Sequence, residues 1–150
     1  MELYQKVECI GEAYKNMLLQ CNWEWFATLN LQMKNDVIFG EKKLREWGMK
    51  MGIANKILIG YMGVYNTIPQ PHIHLLMLSK RNRIGQTLLD LDFKKWEAAW
   101  SALTKSQAVI EPIYDCKGVA HYIARVNMPW ERSEIIVSPR TRILKKAMIQ

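Results

Sequence analysis

Two extended apolar runs, KILIGYMGVY (56–65) and HIHLLMLS (72–79), are separated by six turn-rich residues, NTIPQP. A connection that short pairs the two runs as an antiparallel hairpin. The hairpin stands in the middle of a longer alternation. Ahead of it, WEWFATLNL (23–31) alternates, with Phe26, Thr28 and Asn30 on one face and Trp25, Ala27, Leu29 and Leu31 on the other, which is strand periodicity. A helix follows over 41–51, marked by Leu44, Trp47 and Met51 and ending before Gly52. Beyond the hairpin, KRNRIGQ leads to a helix near 91–104, whose stripe of Phe93, Trp96, Trp100 and Leu103 reads as core, and then to a strand, QAVIEPI, at 107–113.

The order strand, helix, strand, strand, helix, strand is the split βαβ arrangement. It predicts an α+β, ferredoxin-like fold: an antiparallel sheet with helices on one face, crossing over right-handed. Two further helices are expected, one at the N-terminus over 5–19 (Val7, Ile10, Tyr14, Met17, Leu18) and one in DCKGVAHYIARVN at 115–127. Residues 129–150 hold a short apolar run and a basic tail that the periodicity does not place.

The whole chain, 150 residues, reads as one domain, with a core of about 23–127, an N-terminal helix within 1–20 and a basic extension at 129–150. A hydrophobic share of 49% with 23% charged residues excludes disorder. No apolar run reaches the roughly 18 residues of a membrane span, and the N-terminus lacks a compact apolar signal stretch. A soluble, cytoplasmic protein with no membrane partner is the expectation. Cys9, Cys21 and Cys116 show no paired spacing, so neither a disulfide framework nor a zinc knuckle is implied. The net charge of +7 raises the local concentration of polyanions, nucleic acid foremost.

Two groups of residues carry chemistry. His72 and His74 are two apart on a strand, so both imidazoles project from one face, while Ile73, Leu75 and Met77 face the helices. Neutral imidazole is a ligand for Mn²⁺, Zn²⁺ and similar ions. Tyr122 and Arg125 stand at i and i+3 on the expected last helix and share a face, where a guanidinium can stabilise a phenolate or clamp a phosphate oxygen. Tyr114 also begins a Tyr-x-x-Lys sequence, but at a strand end where no helix would align the pair. Lys80, Arg81 and Arg83 follow the histidine strand directly and are candidates for contacting a DNA backbone.

Taken together, WFATLNL, QPHIHLLML and IYDCKGVAHYIARV resemble, in order and spacing, the motifs of the HUH endonuclease superfamily. The closer likeness is to the single-tyrosine initiators of rolling-circle replication in plasmids and viruses. The resemblance covers about residues 23–127, and the ferredoxin-like layout is also that family's fold. It implies that His72 and His74 bind Mg²⁺ or Mn²⁺, that Tyr122 is the nucleophile, and that Arg125 stands where the family has lysine. It also implies a 5′-phosphotyrosine intermediate, single-stranded DNA at a replication origin as substrate, and a separate helicase as partner. The family's third ligand, an acidic or amide side chain before the H-x-H, has no acidic counterpart here. Asn66 and Gln70 are the nearest amides, and Asn30 on the first strand is a geometric alternative.

Other readings share parts of this pattern. Histidine-triad hydrolases need a third alternate histidine where this chain has Leu76. Single-tyrosine HUH transposases usually carry glutamine near the tyrosine. A non-catalytic RNA-recognition-like module would use Tyr61 and Tyr65 to stack bases.

Overall fold

The computed structural model describes residues 23–113 and 133–137. The helices expected over 5–19 and 115–127, with Tyr114, Tyr122, Arg125 and the three cysteines, lie outside these residues, as does the tail beyond residue 137. Eight elements follow in order. They are strand β1 (Trp25–Asn30), helix α1 (Val37–Ala54), strands β2 (Leu58–Asn66) and β3 (His72–Lys80), a short 3₁₀ turn (Leu88–Asp90), helix α2 (Phe93–Thr104), and strands β4 (Ala108–Pro112) and β5 (Ser133–Val137). Among the described residues no helix is long and apolar enough to cross a membrane.

The strands form one antiparallel sheet in the order β4-β1-β3-β2-β5. Its first four positions, with one helix after β1 and another after β3, are an α+β arrangement compatible with the ferredoxin-like layout. The fifth strand, SEIIV, comes from the run that periodicity did not place, and it pairs along Met62–Asn66 of β2. Its β-branched cluster is the signal for extended backbone; nothing in the sequence names the edge it joins.

Odd-numbered residues of β1, β2 and β3 and even-numbered residues of β4 face the helices. Trp25, Ala27 and Leu29 of β1, Ile73, Leu75 and Met77 of β3, and Ala108 and Ile110 of β4 pack with Leu44, Trp47 and Met51 of α1 and Trp96 and Trp100 of α2. The indoles meet edge to face: Trp96 lies 5.3 Å from Trp25 and 5.6 Å from Trp47, and Trp47 lies 5.7 Å from Trp100. The two tryptophans of the α2 stripe are therefore core, as their spacing predicts. Trp47 Nε1 donates to the Trp96 carbonyl (2.9 Å) and Trp100 Nε1 to the Asn30 carbonyl (3.0 Å), so these two buried indoles satisfy their polar atoms.

Two expectations are corrected. Helix α1 starts four residues early because Asp36 caps it, its side chain accepting from the Phe39 amide at 2.9 Å. It also runs through Gly52, whose role is close approach: a Cβ there would stand 3.0 Å from the Ile57 carbonyl oxygen. Tyr61 and Tyr65 are buried on the helix-covered face and belong to the core, so they are no platform for bases. The opposite face of the sheet is buried in part. Met62 and Val64 of β2 and Leu76 and Leu78 of β3 are buried on it, whereas Phe26, Thr28, Asn30 and His72 are half-buried and Val109 and Glu111 are exposed.

Candidate metal centre

Strand β3 is central in the sheet, so His72 and His74 each have a neighbour on both sides. His72 sits opposite Asn30 of β1 and Asn66 of β2; His74 sits opposite Thr28 of β1 and Val64 of β2. Residues facing each other across antiparallel strands share a face, which gives two rungs, Asn30–His72–Asn66 and Thr28–His74–Val64. The two imidazoles meet edge to face with centroids 4.7 Å apart.

The protein's own hydrogen bonds orient the rings. His72 Nδ1 lies 2.7 Å from the Gln70 carbonyl oxygen. A carbonyl only accepts, so this nitrogen carries a proton, and in the neutral ring the lone pair stands on Nε2. His74 Nδ1 lies 3.3 Å from Thr28 Oγ1, and its ring stacks on Phe26 at 5.5 Å and 15°. When Nδ1–H donates to the threonine, Nε2 of His74 carries the lone pair as well. Burial, and secondarily the neighbouring His72, lower the His74 pKa from 6.5 to about 4. The ring is therefore neutral at pH 7, the form that ligates a cation.

The amide candidates separate by what they already hold. Asn66 is buried, and its Oδ1 accepts from the Ile68 amide at 2.9 Å, shaping the turn between β2 and β3. The Gln70 side chain belongs to an exposed residue of that turn; its contribution to the site is the backbone carbonyl on His72. Among the described residues no group of three His, Cys, Asp or Glu side chains comes together, so a third donor from these residues is an amide or hydroxyl. Tyr122 and Arg125, the expected nucleophile and its partner, lie outside the described residues.

The three basic residues Lys80, Arg81 and Arg83 are not at this site. Eight residue steps of strand lead from His72 to Lys80, roughly 26 Å at about 3.3 Å per residue. Lys80, Arg81 and Arg83 are exposed at the opposite end of β3, where Arg81 Nη1 donates to the Gly85 carbonyl at 2.7 Å. That end is anchored by a contact the sequence does not announce. Buried Glu24 accepts from Ser79 Oγ (2.5 Å), which in turn accepts from the Leu88 amide (3.1 Å). Phe26 and Thr28 were legible as face-mates in the alternation of WFATLNL, but their contacts with His74 needed the register of β1 against β3.

No family model matches the chain, and comparison with curated proteins and with solved structures finds no match either.

Proposed function

We propose that the chain is a metal-dependent, single-tyrosine nicking and joining enzyme of the HUH type, acting on single-stranded DNA to initiate rolling-circle replication. The observation that carries this reading is the pair of neutral-capable imidazoles on the central strand, on the face opposite the helices, with His72 held through Nδ1 so that Nε2 presents its lone pair. The sheet order and the sequence likeness of the three motifs support it. The full layout would be ferredoxin-like with an additional helix carrying Tyr122.

His72 and His74 would hold Mg²⁺ or Mn²⁺, and the bound ion supplies electrophilic polarisation of the scissile phosphate. Imidazole donors favour Mn²⁺ over Mg²⁺. Tyr122 would attack phosphorus through its phenolic oxygen: the Tyr O–P bond forms, the P–O3′ bond breaks, and the departing oxygen leaves as a free 3′-OH carrying the proton. Arg125, three residues on in the sequence, would stabilise the phenolate or the phosphate oxygens. The phosphotyrosine linkage keeps the phosphodiester's energy, so the 3′-OH of a strand can reverse the step and rejoin DNA without ATP. Unwinding would fall to a partner helicase. Burial of Tyr61 and Tyr65 weakens the alternative of a non-catalytic module that stacks bases on the sheet.

The test is covalent capture. Wild-type protein incubated with Mn²⁺ and single-stranded origin DNA from its own replicon should give a denaturation-resistant adduct. Tyr122→Phe should abolish it, and Tyr114→Phe should leave it intact. Loss with Tyr114→Phe alone would move the nucleophile, and tight DNA binding with no adduct under any metal would leave a binding module.

A further inference from the structure

We infer that the third protein donor of the metal centre is Asn30, supplied by the first strand, and that neither amide of the hairpin, Asn66 nor Gln70, fills that position. The inference rests on the metal-site reading above and deepens it.

Asn30 is opposite His72 in the register of β1 against β3. The ladder bond from the Leu31 amide to the Pro71 carbonyl (3.0 Å) marks 31 and 71 as a hydrogen-bonded pair. Such pairs alternate, so 30 and 72 form a non-hydrogen-bonded pair, the kind in which Cα atoms approach to about 4.5 Å and side chains lie closest. The same alternation makes 28 and 74 a close pair, and there the contact between Thr28 and His74 is present.

The backbone of Asn30 is fixed on both sides. Its amide donates to the Gln107 carbonyl of the segment entering β4 (3.0 Å), and its carbonyl accepts from buried Trp100 (3.0 Å). These bonds set the direction in which its side chain leaves the sheet. Among the described residues that carboxamide makes no hydrogen bond, and the residue is half-buried beside His72. Asn66 on the other flank already spends Oδ1 on the Ile68 amide, and the Gln70 side chain stands in an exposed turn. A carboxamide oxygen with two imidazoles is a donor set suited to Mn²⁺, leaving further positions for water or a phosphate oxygen.

Mn²⁺ binding to the full chain, without DNA, tests this by loss of the free-ion electron paramagnetic resonance signal. His72→Ala serves as the reference and circular dichroism as the check on folding. Asn30→Ala should weaken binding by about tenfold, within the range typical of a lost supporting contact at a metal site. Asn30→Asp, nearly the same shape with a charge, should bind at least as tightly as wild type, and Asn66→Ala should stay within about twofold of it. Histidine-dependent binding that Asn30→Ala and Asn30→Asp leave unchanged would overturn the role of Asn30 while keeping the metal centre. A loss confined to Asn66→Ala would move the donor to β2. Absence of any His72-dependent binding in wild type would overturn the metal centre itself, and this inference with it.

Discussion

Two buried titratable groups, His74 on β3 and Glu24 just ahead of β1 against Ser79, each tie stability to pH. His74 is lowered to about 4 by burial and by His72. Between pH 6.5 and 4 the unfolded chain holds a proton there that the folded chain lacks, so acid favours unfolding. The accumulated loss is about 3 kcal/mol, from roughly 2.5 units at about 1.36 kcal/mol each. Glu24 acts the other way: burial raises its pKa from 4.5 although Ser79 and Thr87 donate to it. Above 4.5 the folded carboxyl keeps a proton that the unfolded chain releases, so its contribution falls as pH rises through the folded value. Urea unfolding from pH 7 to 4 should therefore show a flatter acid loss in His74→Gln than in wild type and a steeper one in Glu24→Gln. Three parallel profiles would remove the argument.

At the scale of elements, the hairpin between β2 and β3 depends on Gly63. A Cβ there would overlap the His74 carbonyl oxygen and stand 2.8 Å from Leu75 Cδ1, so any side chain forces β2 away from β3 beside the site. Gly63→Ala should cost about 1–3 kcal/mol in denaturant unfolding, as overpacking of a tight interior does, and should weaken Mn²⁺ binding in the same protein. Unchanged stability would mean that the strands have room after all. The hairpin itself was legible, because a six-residue connection between apolar runs leaves few alternatives, and so was the inward stripe of Trp96 and Trp100. Period-two alternation also separated His72 and His74 from Ile73 and Leu75. It failed for Tyr61 and Tyr65, since KILIGYMGVY is apolar on both faces and alternation cannot say which face the helices cover. The start of α1 was missed because the cap, Asp36, precedes residues with no clear helical stripe. Strand β5 was missed because pairing at a sheet edge is a long-range choice that local pattern does not encode.

At the scale of the molecule, the basic segment 80–83 and the candidate metal centre are separated along one strand. The chain carries a net +7, yet Lys80 ends β3 roughly 26 Å from His72, and Arg81 and Arg83 follow in the loop at that far end. Exposed cations at that distance cannot tune the imidazoles, because the screening length at physiological salt is about 8 Å. They can hold phosphates of a strand that continues past the site. Their contribution should then be electrostatic and independent of the ion. Replacing all three by glutamine should weaken single-stranded DNA binding and reduce the dependence of log K on log salt by about 2, from roughly 0.7 per phosphate contact. Mn²⁺ affinity should stay as in wild type, since no part of the two rungs is touched. A salt slope that does not change would route the DNA away from this end of β3. A fall in Mn²⁺ affinity would show that the 81–87 loop supports the sheet as far as His74, through the bonds that join Glu24, Ser79 and Leu88.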